Sequence, residues 1–313
     1  MNREQFHAML KDMKKDPAKL QEYRKAFKNV YPFSDGIFKI LMGNEAKPER
    51  TIKFLNAMLS LEGDKAITSF TLGVPENPGV FNEKTAIFDI FGTTQAGEPV
   101  LIEVQQNHNV LFVDRIVYYT SRVINRTVKK SANYELPHIY VLSILTEDQF
   151  PLEKDTYFHH SQIVRNKRFY YDKLDVYFVE LQKFFAIEDR TPTERREASK
   201  RADMLRLFRA ILEETEVSDE KMLNLLDREF MKDVSLKSYV GEILLEEDDG
   251  MIDLLYEKQG SYLQGKAEGR MEGVAEGHAA GVRELAKGFR DAGVAYEIIS
   301  QQTGLTTEEI MAL

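Results

Sequence analysis

The order of hydrophobic and polar positions predicts a mixed α/β core over about residues 31–188. Apolar residues at helical spacing mark 48–61 as an amphipathic helix, and a longer helical pattern spans about 110–132. A turn at 95-QAGE-98 joins two strand patterns into an antiparallel hairpin. Runs rich in β-branched and aromatic residues predict strands at 65–74, 84–94, 99–106, 138–145, 157–164 and 174–181. We therefore expect a sheet flanked by helices.

The segment ahead of this core has helical patterns. Residues 1–30 predict one or two amphipathic helices with many lysines. Residues 31–43 predict a turn that enters a short helix, with Ser34 or Asp35 placed to cap it. We expect an N-terminal helical segment, 1–30, followed by the core domain.

Strand patterns cease after the core, and we expect an all-helical C-terminal appendage. We divide it into a helical region, 189–260, and a terminal segment, 261–313. The terminal segment ends in two short helices around a turn at 303-TGL-305. Glu308 and Glu309 near the start of the second helix would repel phosphate. A packing or oligomerisation hairpin is therefore favoured over a DNA-reading one.

The terminal segment also contains an internal repeat of glycines at every fourth residue: Gly265, Gly269, Gly273, Gly277 and Gly281. On a helix this spacing forms one slowly winding stripe, which allows another helix to approach closely. Five glycines in one helix would cost roughly 4–5 kcal/mol against alanine, so another interaction must offset that cost if the helix exists. We expect a homo-oligomer formed through this helix. The alternative is a flexible, partly helical linker.

Composition narrows the class of protein. The chain has 313 residues, 43% of them hydrophobic, and no apolar run long enough to cross a bilayer. The N-terminus lacks the apolar stretch of a secretory signal, so we expect a cytoplasmic protein without a membrane partner. Cysteine is absent, which excludes disulfides, thiolate zinc sites and a cysteine nucleophile. The net charge of -9 does not exclude a local basic groove, because in physiological salt each charge is largely screened beyond about 8 Å.

Two carboxylates lie inside otherwise apolar strand patterns: Asp89 in 86-AIFDIFG-92 and Glu103 in 101-LIEVQQ-106. Opposite each other on a hairpin, they would be about 5 Å apart at Cβ and would repel unless they shared a cation. Mg²⁺ prefers such oxygen ligands. Gln105 projects from the same face as Glu103 and would orient a water or bind phosphate. The alternative is that both carboxylates are ordinary strand residues that face solvent.

Several passages together resemble the PD-(D/E)XK nuclease superfamily, and within it the group of recombination-promoting nucleases and transposases. They are 35-DGIFKILMG-43, 86-AIFDIFG-92, 101-LIEVQQ-106, 115-RIVYYTSRV-123, 138-HIYVLSIL-145 and 178-FVELQKF-184. The likeness covers about 30–313 in matching order. It implies a restriction-endonuclease-like mixed sheet flanked by helices, and cleavage of DNA with Mg²⁺ or Mn²⁺. Gln105 stands where the superfamily motif has lysine.

The resemblance also implies roles for individual residues. Asp89, Glu103 and the backbone carbonyl of Val104 would hold the metal ion. Asp35 occupies the place of an acidic residue on the helix before the sheet, and would assist. Lys39, one helical turn later, would supply the cation that the motif lacks. The alternatives are a capping role for Asp35 and a solvated Lys39.

A row of cations follows the hairpin at spacings of seven, four and three: Arg115, Arg122, Arg126 and Lys129. On a helix these residues share one face, which would neutralise DNA phosphates. The alternative is a solvated face that pairs with surface acids. A smaller basic cluster, Arg165, Lys167 and Arg168, has no role that its pattern assigns.

The expected function is therefore a metal-dependent DNA endonuclease, linked to recombination or mobile DNA. Two alternatives stay open. The chain would bind DNA without cutting it if Gln105 marks a loss of catalysis. It would act as an assembly protein if the glycine-stripe helix is its active part.

Overall fold

The computed structural model describes residues 1–73, 76–77, 86–127, 135–217, 219–227, 229–237 and 280–313. The chain divides into two units, Met1–Leu254 and Leu255–Leu313. The finer boundaries that we expect near residues 30, 188 and 260 stay predictions. Among the described residues, no helix combines the length and apolar content that crossing a membrane requires.

A six-stranded sheet of mixed direction runs through the first unit. Its strands, in spatial order, are β1 (Phe70–Leu72), β4 (Ile90–Thr94), β5 (Pro99–Gln105), β6 (Ile139–Leu145), β8 (Arg168–Glu180) and β7 (Phe158–Arg165). Strands β5, β6 and β8 are parallel, and the other neighbouring pairs are antiparallel. A separate short pair, β2 (Glu76–Asn77) and β3 (Ala86–Ile87), is also antiparallel. The predicted mixed sheet is confirmed.

The predicted hairpin is formed by β4 and β5. Ile90 pairs with Ile102, and Thr93 pairs with Pro99. In the turn, Gly97 has a φ of +73°, in the left-handed region that glycine adopts without steric cost. The turn thereby fixes the register, and the register decides which side chains of the two strands meet.

Helices cover both faces of this sheet, as the resemblance implies. Those of the first unit are α1 (Arg3–Lys15), α2 (Leu20–Ala26), α3 (Asp35–Met42), α4 (Pro48–Leu59), α5 (Phe112–Thr127), α6 (Leu181–Arg190), α7 (Lys200–Glu213), α8 (Glu220–Leu223) and α9 (Phe230–Asp233). Successive residues of β5 serve two different cores because strand side chains alternate. Ile102 belongs to the core that contains Phe54 and Phe208, whereas Leu101 belongs to the one that contains Phe112.

Three strands differ from the prediction. The predicted strand 84–94 is interrupted: β3 covers Ala86–Ile87 and pairs with β2, whereas β4 begins at Ile90 in the six-stranded sheet. Asp89 lies in the interruption, where its side chain accepts a hydrogen bond from the backbone N–H of Val104. β1 is shorter than the predicted 65–74, because the side chain of Asn56 forms two hydrogen bonds of 2.8 Å with the backbone of Ile67. The backbone N–H and C=O groups of Ile67 thus have hydrogen-bond partners outside the sheet. β8 begins at Arg168, six residues before the predicted 174, because β7 supplies ladder partners for exposed residues that no core requires.

The N-terminal helix α1 packs into the core of the first unit. Asn2 caps it, and the side chains of Asn2 and Gln5 each accept a hydrogen bond from the other's backbone N–H, at 2.9 and 2.8 Å. Phe6 and Met9 on its inner face are fully buried. The helix therefore contributes apolar area to the same core as the sheet.

A buried arginine joins α4 to α9. Arg50 is 0% exposed, and its guanidinium forms ion pairs with Asp227 and Asp233. Lys47 adds a second cation 2.7 Å from Asp233. Burial raises the pKa of Asp227, but hydrogen bonds and coulombic attraction from Arg50 together lower the pKa overall. The two carboxylates and the arginine therefore compensate one another's charges in the interior of the protein.

The second unit is helical over its described residues. Its helices are α10, described over 280–291, α11 (Tyr296–Thr303) and α12 (Thr307–Ala312). Gly304, with a φ of +74°, forms the turn, and Thr306 caps α12 in a capping box with Glu309. Ile299 and Ile310 are buried together, which confirms a packed helical hairpin. Of the glycine repeat, Gly281 is described, and the other four positions lie outside the described residues.

Candidate active site

The hairpin brings Asp89 beside Glu103. Asp89 directly precedes β4 and Glu103 follows Ile102 in β5, so the two residues adjoin the pair formed by Ile90 and Ile102. The backbone N–H of Asp89 donates to Oε1 of Glu103 at 3.3 Å. The backbone N–H of Val104 donates to Oδ2 of Asp89 at 2.6 Å. Each carboxylate therefore accepts a hydrogen bond from the other strand.

Both carboxylates are largely withdrawn from solvent. Glu103 is 4% exposed, and the side chain of Asp89 is 14% exposed. This burial argues against the alternative in which both face water. Two anions held close together at low exposure require compensating positive charge.

Helix α3 brings a lysine to this pair. Nζ of Lys39 lies 3.6 Å from Oδ1 of Asp89. The lysine is thus an ion-pair partner of the carboxylate and not merely a solvated residue. Asp35 is the first residue of α3, but its side chain lies outside the described part. Ser34 holds the N-cap position, as predicted, but its side chain makes no capping hydrogen bond.

Helix α5 brings an arginine to Gln105. The guanidinium of Arg115 donates to Oε1 of Gln105, and Nε2 of Gln105 donates to the backbone oxygen of Asn107 at 2.6 Å. The guanidinium also lies over two rings, 5.2 Å from the centre of Phe112 and 5.9 Å from that of Tyr119. Its buried Nε has no hydrogen-bond partner among the described residues. A cation with a spare donor therefore stands beside the glutamine.

The rest of the basic row continues along α5. Arg122 is half-buried, whereas Arg126 is exposed and lies 4.7 Å from the ring centre of Phe91. Lys129 lies outside the described residues. Arg115 therefore differs from its neighbours in the row, because its guanidinium turns to the end of β5. Its assignment to a DNA-facing stripe stays a prediction.

The sequence did not indicate that α1 reaches this site. Nη1 of Arg3 donates to the backbone oxygen of Gln106 at 3.3 Å and to Oδ1 of Asn107. It also lies 3.7 Å from a carboxylate oxygen of Glu147. Arg3 therefore braces the loop that follows Gln105. No local signal indicates a contact between residues more than 100 positions apart.

Ser143 is a second residue that the sequence reasoning missed. It pairs with Glu103 across the parallel strands β5 and β6 and is 0% exposed. Its Oγ has no hydrogen-bond partner among the described residues. The available signal was a hydroxyl inside the apolar run 139-IYVLSIL-145. A buried unpaired hydroxyl is costly to the fold and calls for an explanation.

A buried glutamate lies at the same end of the sheet. Glu180, at the end of β8, is 0% exposed and accepts hydrogen bonds from His159, Lys183 and the backbone N–H groups of Gln149 and Phe150. Burial raises its pKa, but these hydrogen bonds prevail and lower the pKa to about 2. Glu180 is therefore an anion with its acceptors occupied, which fits a structural role.

His160, which follows His159 in the sequence, belongs to a different cluster. Nε2 of His160 lies 2.6 Å from Asp175, and Nε2 of His138 lies 2.7 Å from the same carboxylate. The two rings stack on Tyr177 and Tyr140, with centroids 4.3 Å apart in each pair. Burial raises the pKa of Asp175, but hydrogen bonds from His160, Gln162 and His138 lower it overall. Adjacent histidines thus serve separate carboxylates.

The donor set at the hairpin suits a hard cation. It consists of two carboxylates and a backbone oxygen, because the C=O of Val104 points to the same side of the strand as its N–H. No group of three or more histidine, cysteine, aspartate or glutamate residues fit to hold a metal occurs among the described residues. Mg²⁺ commonly binds one or two carboxylates and keeps several waters. The residues present therefore fit Mg²⁺ or Mn²⁺.

Comparison with known proteins gives one match. A family model described as PD-(D/E)XK nuclease family transposase matches residues 32–248, more than half of the chain. The matched stretch contains the hairpin, α3, α5 and the whole six-stranded sheet. No curated protein and no solved structure matches the chain.

Proposed function

The chain belongs to the PD-(D/E)XK nuclease family of transposases, and from that premise we propose that it is a DNA endonuclease that requires Mg²⁺ or Mn²⁺. The observation that carries the proposal is the cross-strand pairing of Asp89 and Glu103 at low exposure. Hydrolysis forms a bond between a water oxygen and phosphorus and breaks one P–O ester bond. The water loses a proton, and the leaving oxygen gains one.

Asp89, Glu103 and the carbonyl of Val104 would hold the metal ion. When bound, such an ion polarises the phosphate and lowers the pKa of a coordinated water. The chain's own contribution is to fix the two carboxylates. The N–H of Val104 holds Oδ2 of Asp89 in place, and the N–H of Asp89 holds Oε1 of Glu103. Asp35 would assist from the start of α3.

Positive charge at the site comes from two helices instead of from the motif position. Lys39 lies beside Asp89, and Arg115 lies beside Gln105. Their ammonium and guanidinium groups would bind the non-bridging oxygens of the phosphate and stabilise the charge that develops in hydrolysis. Gln105, whose amide orientation is fixed by Asn107, would hydrogen-bond the attacking water or the phosphate. Two cations in place of one lysine would support catalysis with glutamine at position 105.

Supercoiled plasmid is the substrate that tests this proposal. The unmodified chain is expected to nick it with Mg²⁺ and to stop when a chelator is added. Asp89→Ala and Glu103→Ala are expected to abolish nicking while the circular dichroism spectrum stays unchanged. Glu194→Ala is a matched surface control, because it also removes one carboxylate and this exposed residue lies after α6.

Two results would count against the proposal. Nicking by purified Asp89→Ala at the unmodified rate would remove the carboxylate pair from the mechanism. Metal-independent DNA binding without any nicking by the unmodified chain would favour the non-catalytic alternative, in which the fold is kept and cleavage is lost.

A further inference from the structure

The strands β7 and β8 continue past the edge of the sheet as a two-stranded ribbon, defined here as residues 161–173. β6 pairs with β8 from Leu174 onward, and of the six residues before it Arg168, Phe169 and Tyr171 pair with β7. Register shifts put extra residues into β8, so the length of the ribbon follows β7: from Ser161 to Arg165 it projects roughly 13 Å at about 3.3 Å per residue. Asn166 and Lys167 form its tip with φ values of 52° and 62°, as a tight hairpin turn requires.

The ribbon exposes apolar and aromatic side chains. Val164 is 60% exposed, Phe169 is 54% exposed and Tyr170 is 61% exposed. A strand that served only to complete the sheet would bury one of its faces. Such exposure on a projecting element is typical of a surface that contacts a partner.

The charge of the ribbon is opposite to that of the chain. Arg165 and Arg168 stand directly opposite each other, with Lys167 in the turn between them. Asp172 is the one acidic residue of the ribbon, whereas the whole chain carries a net charge of -9. Within the described part of the chain, no carboxylate forms an ion pair with these three cations. Like charges opposite each other on paired strands are destabilising, and a bound anion relieves them.

We propose that the ribbon is a DNA-binding element that enters the major groove of a duplex. The major groove admits a two-stranded β-ribbon, and Arg165, Lys167 and Arg168 would contact phosphates or guanine edges. Arg165 lies 4.8 Å from the ring centre of Tyr170, which orients its guanidinium. The choice of DNA among polyanions rests on the proposed function. Pairing of β7 with a second copy is disfavoured, because cations on an edge strand oppose it.

The ribbon binds DNA away from the point of cleavage. Phe178 of β8 is level with Ser143, and Ser143 is level with Glu103. Arg168 pairs with Arg165 and Phe178 pairs with His159, so the two levels are six residues of β7 apart, about 20 Å along the strand. That span is more than half a turn of B-DNA, about 34 Å. The ribbon therefore adds a contact at a distance from the carboxylates.

Fluorescence anisotropy with a labelled duplex of about 30 base pairs, roughly three turns of B-DNA, tests the ribbon separately from catalysis. All proteins carry Asp89→Ala so that the probe stays intact. The triple variant R165Q/K167Q/R168Q is compared with the control K11Q/K15Q/K25Q, whose three exposed lysines lie on α1 and α2. Both remove three positive charges. Thermal unfolding of both is expected to match the parent, because all six side chains are exposed.

The ribbon variant is expected to bind the duplex at least about tenfold more weakly. The logarithm of its association constant is expected to fall less steeply with the logarithm of the salt concentration, by about 2–3 in slope. The control is expected to keep both values. Equal affinity of the two variants for the duplex overturns the ribbon proposal. It is also overturned if the ribbon variant loses binding to phosphatidylserine vesicles while its affinity for DNA is unchanged. Nicking by the intact chain decides the proposed function independently. Ribbon-dependent binding without nicking would overturn the nuclease alone.

Discussion

Arg115 donates a hydrogen bond to the side-chain oxygen of Gln105 across the gap between α5 and β5. The contact places a guanidinium group next to Gln105. A glutamine alone has no charge with which to bind phosphate. The pair therefore combines the oriented amide of one residue with the charge of another.

The first prediction concerns this pair. Arg115→Gln is expected to lower the rate of plasmid nicking about 10- to 100-fold, because a charge-assisted hydrogen bond contributes about 1.5–3 kcal/mol. Arg115→Lys is expected to recover part of the rate, since it restores charge without the forked geometry. Arg126→Gln is the control from the same helix. Equal rates for the Arg115 and Arg126 variants would remove Arg115 from the site.

The second prediction concerns the unpaired hydroxyl of Ser143. Ser143→Ala is expected to leave the free energy of unfolding unchanged or to raise it by about 1 kcal/mol, because a buried unsatisfied group is costly. The rate of nicking is expected to fall severalfold, because the hydroxyl would bind a water or carboxylate of the working site. Urea unfolding and nicking assays measure the two effects.

A buried threonine provides the contrast for Ser143. Thr120 donates to the backbone oxygen of Ile116 at 2.7 Å, so its hydroxyl is paired. Thr120→Val is expected to lower the free energy of unfolding by about 1 kcal/mol. A similar loss of stability in Ser143→Ala would show that its hydroxyl already has a partner in the fold.

The third prediction is an acid dependence set by Glu180. Its pKa is lowered from 4.5 to about 2 in the fold, so between those pH values the unfolded chain binds a proton that the folded chain does not. Stability contributed by the ionised carboxylate is therefore complete above about pH 4.5 and is lost as pH falls toward 2, by about 3 kcal/mol in all. The expected result is that the stability difference between the unmodified chain and Glu180→Gln shrinks with acidification. A difference that stays constant down to pH 3 would contradict it.

The fourth prediction concerns the buried Arg50. Arg50→Met is expected to destabilise the fold by about 3–5 kcal/mol, because it leaves Asp227 without its ion-pair partner and Asp233 with Lys47 alone. Adding Asp227→Asn and Asp233→Asn is expected to recover part of this loss. Urea denaturation of the single and triple variants measures the effect. A triple variant less stable than the single one would show that the carboxylates have other partners.

The sheet and the carboxylate pair were predictable from the sequence, because both depend on short-range pattern. Apolar alternation marks β5 and β6, and the turn at Gly97 sets the register of the hairpin. An acid inside each of two paired apolar strands then identifies Asp89 and Glu103. These inferences need no knowledge of how distant elements pack.

The cations of the site were harder to assign, because a helix residue's role depends on which way its long side chain turns. Arg115 and Arg126 have equivalent places in the basic row, yet Arg115 meets Gln105 and Arg126 lies over Phe91. The length of β8 was missed for a related reason. Exposed strand residues carry no core pattern, so the polar and aromatic stretch before Leu174 gave no strand signal.

The contact of Arg3 with the loop after Gln105 limits how the domain can be joined to other sequences in a chimaera. The family model begins at residue 32, whereas Arg3 contacts the loop at Gln106 and Asn107. A chimaera that kept residues 32–248 and took its leading helices from elsewhere would preserve the acids, the glutamine and both nearby cations. It would still release the stretch of backbone that aims Gln105. The loop after Gln105 is thus held partly by a residue outside the segment that the family model matches.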